Sequence, residues 1–236
     1  AAGSQPTRIT PGILPLGRMS IDRESRLIAI ETGRTRTNLT RLSADGSRAE
    51  TFTAGEGLDW DPDARADGAI IFVSERDGSN QLWVRHPDGR TIRLTNLKAS
   101  FIHSPRWSED GTRIAFLAVM DGRTDVHVIQ ADGSRLSRLT QDGLAKGRVA
   151  WASGDAALFM TRSTLNGWRL TKIDPATGRD DAIPGGEDIA IIQRSGDRLF
   201  ARRSRSDMIV EADARTGRVR SLPVPIHVTG LESWTP

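Results

Sequence analysis

The sequence has no cysteine and no tyrosine among its 236 residues. The missing cysteine excludes disulfides, thiol catalysis, thiolate metal sites and iron–sulfur clusters, and it leaves the redox compartment open. Lysine is scarce too: of 33 basic residues, 30 are Arg and three are Lys. Guanidinium groups stay charged, and nothing titrates near pH 8 to 10, so the pI reaches 10.1 without a large charge excess. The 33 basic residues meet 30 acidic ones, a net charge of +3. Basic runs such as Arg202-Arg203-Ser204-Arg205 are short and isolated, which describes a mixed solvated surface, and no direct nucleic-acid binding is expected. No apolar run approaches the roughly 20 residues that span a bilayer, so no membrane insertion is expected. The first residues, AAGSQPTRIT, contain neither Met nor a charged-then-apolar signal pattern, and they predict a trimmed or processed piece.

What is present is ordinary for a globular chain, with 37% hydrophobic and 27% charged residues. A fold of this length buries roughly 70 to 75% of its unfolded surface, enough for a self-sufficient core. A period dominates the pattern. Asp45-Gly46, Asp88-Gly89, Asp132-Gly133, Thr177-Gly178 and Thr216-Gly217 place a Gly at intervals of 43, 44, 45 and 39 residues. Each lies between two apolar segments, where glycine supplies the positive φ of a tight hairpin. A second marker recurs as Arg8-Ile9-Thr10, Thr51-Phe52-Thr53, Arg93-Leu94-Thr95 and Arg138-Leu139-Thr140, with degenerate copies at Asp181-Ala182-Ile183 and Ser221-Leu222-Pro223. A third is Trp60, Trp107, Trp151 and Trp234, spaced 47, 44 and 83 apart; in this frame Ile192 fills the skipped position and Met19 precedes Trp60 by one period.

Within each period the apolar segments are short and β-branched. Leu27–Ile30, Ala69–Val73, Arg113–Val119, Ala157–Thr161 and Arg198–Ala201 read as one strand class, and Asn38–Leu42, Gln81–Arg85, Asp125–Gln130, Trp168–Ile173 and Met208–Glu211 as the next. No amphipathic helix is evident. Four short strands per unit of about 40 to 45 residues is the signature of a β-propeller blade. The expected fold is all-β: one propeller over residues 1–236, with five blades near 11–53, 54–95, 96–140, 141–183 and 184–223. Gln5–Thr10 and Leu231–Trp234 would supply two strands of an incomplete sixth, which predicts a longer parent propeller.

Ser104-Pro105-Arg106-Trp107-Ser108-Glu109-Asp110-Gly111, followed by Ile114-Ala115-Phe116, Asp121-Gly122, Val126-His127-Val128, Asp132-Gly133 and Leu139-Thr140, resembles the TolB-like propeller repeat. Trp60-Asp61-Pro62 with Ile70-Ile71-Phe72 is a second copy, stretched in its loop. The resemblance implies a non-catalytic module that binds a protein, a peptide or a small acidic ligand without a cofactor. Two hosts are implied. One is the sensory or docking half of a bacterial winged-helix regulator, which the short Thr-Gly turns of the late blades most resemble. The other is the gating propeller of a prolyl oligopeptidase-like serine hydrolase, although this chain has no G-x-S-x-G elbow. A periplasmic location is expected from the same likeness, with the cytoplasm as alternative.

No residue set proclaims chemistry. No P-loop, G-x-G-x-x-G or H-E-x-x-H occurs, no two of the four His have ligand-like spacing, and neither catalytic residues nor a metal site are expected. His127 aligns with Thr40, Trp83, Lys172 and Glu211 at a position expected to face outward, and His86 precedes a turn. The acidic run Asp59-Trp60-Asp61-Pro62-Asp63 lacks the Gly and the Glu of a calcium loop, with Ala64 and Ile70 in their places, and is expected to be a solvated loop. Trp83 and Trp168 are expected at the surface. His103 and His227 lie on connections that lead into the inner strand of the next blade, as do Pro11–Gly17, Gly55–Leu58, Asn96–His103, Gln141–Arg148, Pro184–Asp188 and Pro225–Gly230. Such loops ring one mouth of the channel, and variable loops on a rigid scaffold carry function. Lys98, Phe101, His103, Lys146 and Arg148 combine aromatic, cationic and titratable groups there, a set suited to an acidic peptide or carboxylate.

Overall fold

The computed structural model describes residues 16–22, 27–32, 36–42, 47–55, 57–205, 209–213, 215–216 and 218–221. Two antiparallel pairs come first: β1 (Leu16–Asp22) with β2 (Leu27–Thr32), and β3 (Thr40–Leu42) with β4 (Ala49–Thr51). Four sheets of four strands follow. They are β5 (Asp59–Ala64), β6 (Ile70–Ser74), β7 (Gln81–Arg85), β8 (Thr91–Arg93); β9 (Phe101–Trp107), β10 (Arg113–Met120), β11 (Arg123–Gln130), β12 (Ser137–Arg138); β13 (Lys146–Trp151), β14 (Leu158–Thr164), β15 (Gly167–Ile173), β16 (Asp180–Glu187); and β17 (Ile189–Ser195), β18 (Arg198–Arg203), β19 (Ile209–Asp213), β20 (Val219–Ser221). Each sheet is an up-and-down meander in chain order. Among the described residues the one helical element is the short 3-10 turn Ser153–Asp155. The first strands of successive sheets pack side by side, β5 on β9, β9 on β13, β13 on β17, which makes them the inner wall of a propeller. The expected sixth-blade strands, and with them His227 and Trp234, lie outside the described residues.

Alternation along the strands sends each blade's apolar residues to both neighbours. Ile114, Phe116 and Ala118 join Ile71, Val73, Leu82 and Val84 of the preceding blade. Ala115, Leu117, Val126 and Val128 join Trp151, Leu158 and Met160 of the following one. Leu170, Phe159 and Ile189 continue the pattern into the last blade. A side chain such as Phe116 or Leu117, fully covered, contributes about 1.5–3 kcal/mol by leaving water, and no blade could cover both faces by itself.

The repeated motifs have identifiable jobs. The Thr of each Leu-Thr step ends the outer strand: Thr95 Oγ1 accepts the Leu82 N–H at 2.9 Å and Thr140 Oγ1 accepts that of Val126 at 3.0 Å. The Arg two residues earlier donates to the same Thr carbonyl, Arg93 at 2.8 Å and Arg138 at 3.1 Å. Gly133 and Gly178, at φ 85° and 74°, bring the hairpin turns against carbonyls of the preceding blade. A Cβ on Gly133 would stand 3.1 Å from the Leu94 oxygen, and on Gly178 2.6 Å from that of Leu139.

Several expectations need correction. The run Asp59–Asp63 is no solvated loop; it belongs to β5, and Asp59 and Asp61 are buried. Pro184–Glu187 is no loop either, since β16 runs through Glu187 and Asp188 alone connects to β17. Pro184 is tolerated because β16 is an edge strand and its register shifts between Arg169 and Thr171. His127 and Trp83 face inward, at 2% and 8% exposure. Each stands directly across from a Phe of the neighbouring strand, His127 from Phe116 and Trp83 from Phe72; the Phe116 ring stacks on His127 at 5.4 Å, and the Arg76 guanidinium lies over both Trp83 and Phe72. Trp60 also leaves its assigned frame: it occupies the register of His103, so that Asp61-Pro62-Asp63-Ala64 matches Ser104-Pro105-Arg106-Trp107.

Candidate binding site at the channel mouth

The inner strand of each of the four sheets carries a register shift, within β5 (Trp60 to Asp63) and β9 (His103 to Arg106) and at the start of β13 (Lys146 to Val149) and β17 (Ile189 to Ile191). Asp61 and Ser104 take up the extra residue with φ 55° each. A bulge turns polar groups that would lie in the sheet toward the channel. Asp61 is the hub: its Oδ2 accepts the Ser104 backbone N–H at 2.6 Å and its Oδ1 accepts from Arg148 at 3.0 Å. Ser104 Oγ in turn accepts the Val149 N–H at 3.3 Å. Three successive blades are thereby tied around the axis.

On the side where the inner strands begin, Phe101 stacks on both Trp60 (centroids 6.0 Å apart) and His103 (5.4 Å). Phe101 remains 44% exposed, an aromatic surface open to a partner, with the exposed Lys98 on the connection leading to it. Burial lowers the pKa of His103; the Asp61 carboxylate opposes this, and Arg148 and Arg106 reinforce it. The imidazole is therefore neutral at pH 7.

The five residues singled out by sequence fall into two groups. Phe101, His103 and Arg148 converge, and Lys98 stands at the rim. Lys146 turns inward instead: its ammonium is fully covered, donates to Asp142 and to the Leu144 carbonyl at 2.9 Å, and lies 3.8 Å from Asp125. It is a strut between β13 and β11, because Asp125 also holds Arg138 and Thr140. Trp60 and Asp61 belong to the mouth, and sequence reading missed them there. The signal was the 47-residue Trp interval: sliding the frame to match Asp61-Pro62 with Ser104-Pro105 gives 43.

At the opposite end, a cavity of about 230 Å³ lies among the C-terminal ends of the inner strands, bordered by Asp63, Arg106, Trp107, Trp151 and Arg194. Arg65 covers the Trp107 ring at 4.7 Å and Arg113 that of Trp151 at 4.5 Å. Carboxylates staple the blades here: Asp63 accepts the Trp107 N–H at 2.7 Å, and Asp155 accepts those of Glu109 and Asp110 at 2.7 and 2.9 Å. Among the described residues, no three His, Asp or Glu side chains cluster as metal ligands, and no helix is long and apolar enough to cross a membrane.

No protein-family model matches the chain. Over 122 residues, 50% of its length, it is 34% identical to the Tol-Pal system protein TolB of Anaeromyxobacter dehalogenans (strain 2CP-C) and covers 27% of that protein. It is 28% identical over 93 residues to Tricorn protease homolog 1 of Streptomyces coelicolor, covering 39% of this chain and 8% of that one. The fold matches the crystal structure of TolB from Acinetobacter baumannii with a TM-score of 0.66 at 20% identity, over 78% of this chain and 48% of the other. The chain thus spans about a quarter of the length of the curated TolB proteins it matches. Over half of the chain the sequence is similar to that of TolB, and over most of it the propeller fold is similar too.

Proposed function

We propose that this propeller is a non-catalytic binding module whose channel mouth takes a protein segment or small acidic ligand. The observation that carries the reading is the exposed Phe101, held between Trp60 and His103 above the Asp61–Arg148 pair. A rigid aromatic anchor with cationic neighbours is the usual composition of an interface hot spot. Lys98 at the rim fits an acidic segment. Proteins named for the Tol-Pal system among its relatives favour a periplasmic setting and a protein partner. We further infer that the blades form one domain of a longer propeller.

The test is a photo-crosslinking residue placed at Phe101 and, as control, at Asp174, an exposed turn position. A discrete adduct from 101 that Lys98→Ala reduces, with unchanged melting, supports the reading. Equal adducts from both positions refute it. A second reading, the gating propeller of a serine hydrolase, is favoured by the similarity to a tricorn protease homologue. The sequence flanking the chain separates the hosts: a hydrolase domain, a winged-helix domain, or further TolB-like sequence.

A further inference from the structure

The asparagines of the chain are Asn38, Asn80, Asn96 and Asn166, and of these Asn166 alone precedes a Gly. The other three have engaged carboxamides. Asn38 Oδ1 accepts the Gly55 N–H at 3.1 Å, Asn80 Nδ2 donates to Glu75 at 2.7 Å, and Asn96 Oδ1 accepts from Arg93 at 2.8 Å. Leu39, Gln81 and Leu97 come next in the chain, and their side chains crowd the backbone nitrogen that follows each asparagine. Among the described residues the Asn166 carboxamide has no hydrogen-bond partner, and the nitrogen after it belongs to a residue without a Cβ.

Asn166 stands at the tip of the hairpin that joins β14 to β15. Thr164 and Gly167 are the last pair of that ladder, so Leu165-Asn166 closes it as a turn, with Leu165 fully exposed and Asn166 exposed beside it. A pair at the end of a ladder opens at little cost, which leaves the turn free to change its backbone angles. Arg205, on the connection from β18 to β19, reaches this tip from the next blade. Its Nη2 donates to the Asn166 carbonyl at 2.9 Å, while its own backbone N–H is held by Asp188 at 3.1 Å. That carbonyl and the Gly167 N–H belong to one peptide group. A guanidinium on the oxygen draws electron density from the nitrogen and stabilises the anion left when the N–H gives up its proton.

We propose that Asn166 is a self-modification site, converted through a cyclic imide to aspartate and isoaspartate, with Arg205 activating the Gly167 nitrogen. Hydroxide takes the Gly167 amide proton, the nitrogen bonds to Asn166 Cγ, and the carboxamide nitrogen leaves as ammonia. Water then adds to either carbonyl of the ring and breaks its bond to the ring nitrogen. The reaction consumes a water and releases an ammonia, with no change of oxidation state. Opening at one carbonyl leaves an ordinary backbone with a carboxylate at 166; opening at the other routes the chain through the side chain and lengthens the turn by a methylene. Either product sets a new negative charge beside Arg205, on the face of the propeller that carries the mouth, since β14 runs back to the end where β13 begins.

The folded protein is incubated in mildly alkaline buffer, digested at acidic pH where the reaction is slow, and its peptides are separated and weighed. The peptide carrying Asn166 should gain the mass of an amide nitrogen replaced by oxygen and appear as two products, aspartate and isoaspartate. Peptides carrying Asn38, Asn80 and Asn96 should stay unconverted over the same period. The rate should rise with pH, because the Gly167 amide must lose its proton first. Arg205→Gln, at a side chain 71% exposed, should convert several-fold more slowly with an unchanged melt. Asn166→Gln, which would have to close a larger ring, should remain unconverted at 166. No conversion at 166, conversion of the other three asparagines at a similar rate, aspartate as the sole product, or an equal or faster rate in folded Arg205→Gln overturns the proposal. If Arg205→Gln melts lower, the comparison among the four asparagines of the unaltered protein carries the test; none of these outcomes bears on binding at the mouth.

Discussion

Replacing Gly178 by Ala isolates the contact between a hairpin turn and the blade before it. Two penalties add. A non-glycine residue in the left-handed region costs about 1–2 kcal/mol, and Gly178 sits at φ 74°. The new Cβ would then stand 2.6 Å from the Leu139 carbonyl oxygen, closer than unbonded atoms tolerate. Leu139 cannot retreat freely, because its N–H is bonded to the Val126 oxygen at 2.8 Å. The turn is pinned as well, by Gly178 N–H to Asp174 O at 2.8 Å and by Asp174 Oδ1 accepting from Ala176 at 2.7 Å. Overpacking against a fixed wall adds about 1–3 kcal/mol, for a total of about 2–5 kcal/mol. Gly89 is the internal control, with φ 89° and no atom within 4 Å of the added Cβ; its replacement carries only the backbone penalty. At about 2–4 °C per kcal/mol for a chain of this size, Gly178→Ala should melt several degrees below Gly89→Ala. Thermal melts followed by tryptophan fluorescence make the comparison. Equal midpoints would refute the packing argument and leave backbone strain as the whole effect.

Asp155→Asn keeps the volume but can accept only one of the two N–H groups that Asp155 now holds; about 1–3 kcal/mol should be lost, read as a drop in urea midpoint. Lys146→Met leaves Asp142 and Asp125 with their arginines but strips the buried ammonium between them, and a loss of about 3 kcal/mol is expected in the same assay. Burial lowers the pKa of both His103 and His127, so below pH 6.5 the unfolded chain takes up more protons than the folded one. Stability should fall as pH drops from about 6.5 toward 5, and a His103→Asn/His127→Asn double variant should flatten that slope in melts across the range.

The fold was legible because its signals are local. Short β-branched segments, Asp-Gly turns and Leu-Thr ends each depend on a few adjacent residues, and all recur. The positions that were misread depend on partners distant in sequence. Nothing near Asp61 tells that its carboxylate will meet the Ser104 amide 43 residues on and Arg148 87 residues on, so a run of aspartates reads as solvated. His127 reads as outward until the ring of Phe116 is seen across the strand pair. Lys146 looks like a ligand-binding cation in a loop; only the convergence of Asp125 and Asp142 shows a buried strut. Trp107 and Trp151 look alike in the sequence, yet only the Trp151 indole reaches an acceptor, the Arg106 carbonyl.

The pair between Arg148 and Asp61 has a consequence for how the propeller comes apart. In an array whose units touch only their neighbours, stability is a sum of nearest-neighbour terms, and units at an end can peel away one by one. Arg148 belongs to the blade of β13 and Asp61 to that of β5, with the whole blade of β9 between them. Losing the β5 blade therefore strands a partly buried guanidinium two blades away, and losing the β13 blade strands a buried carboxylate. Fraying at one blade is felt by the next but one, which couples the three into one cooperative unit.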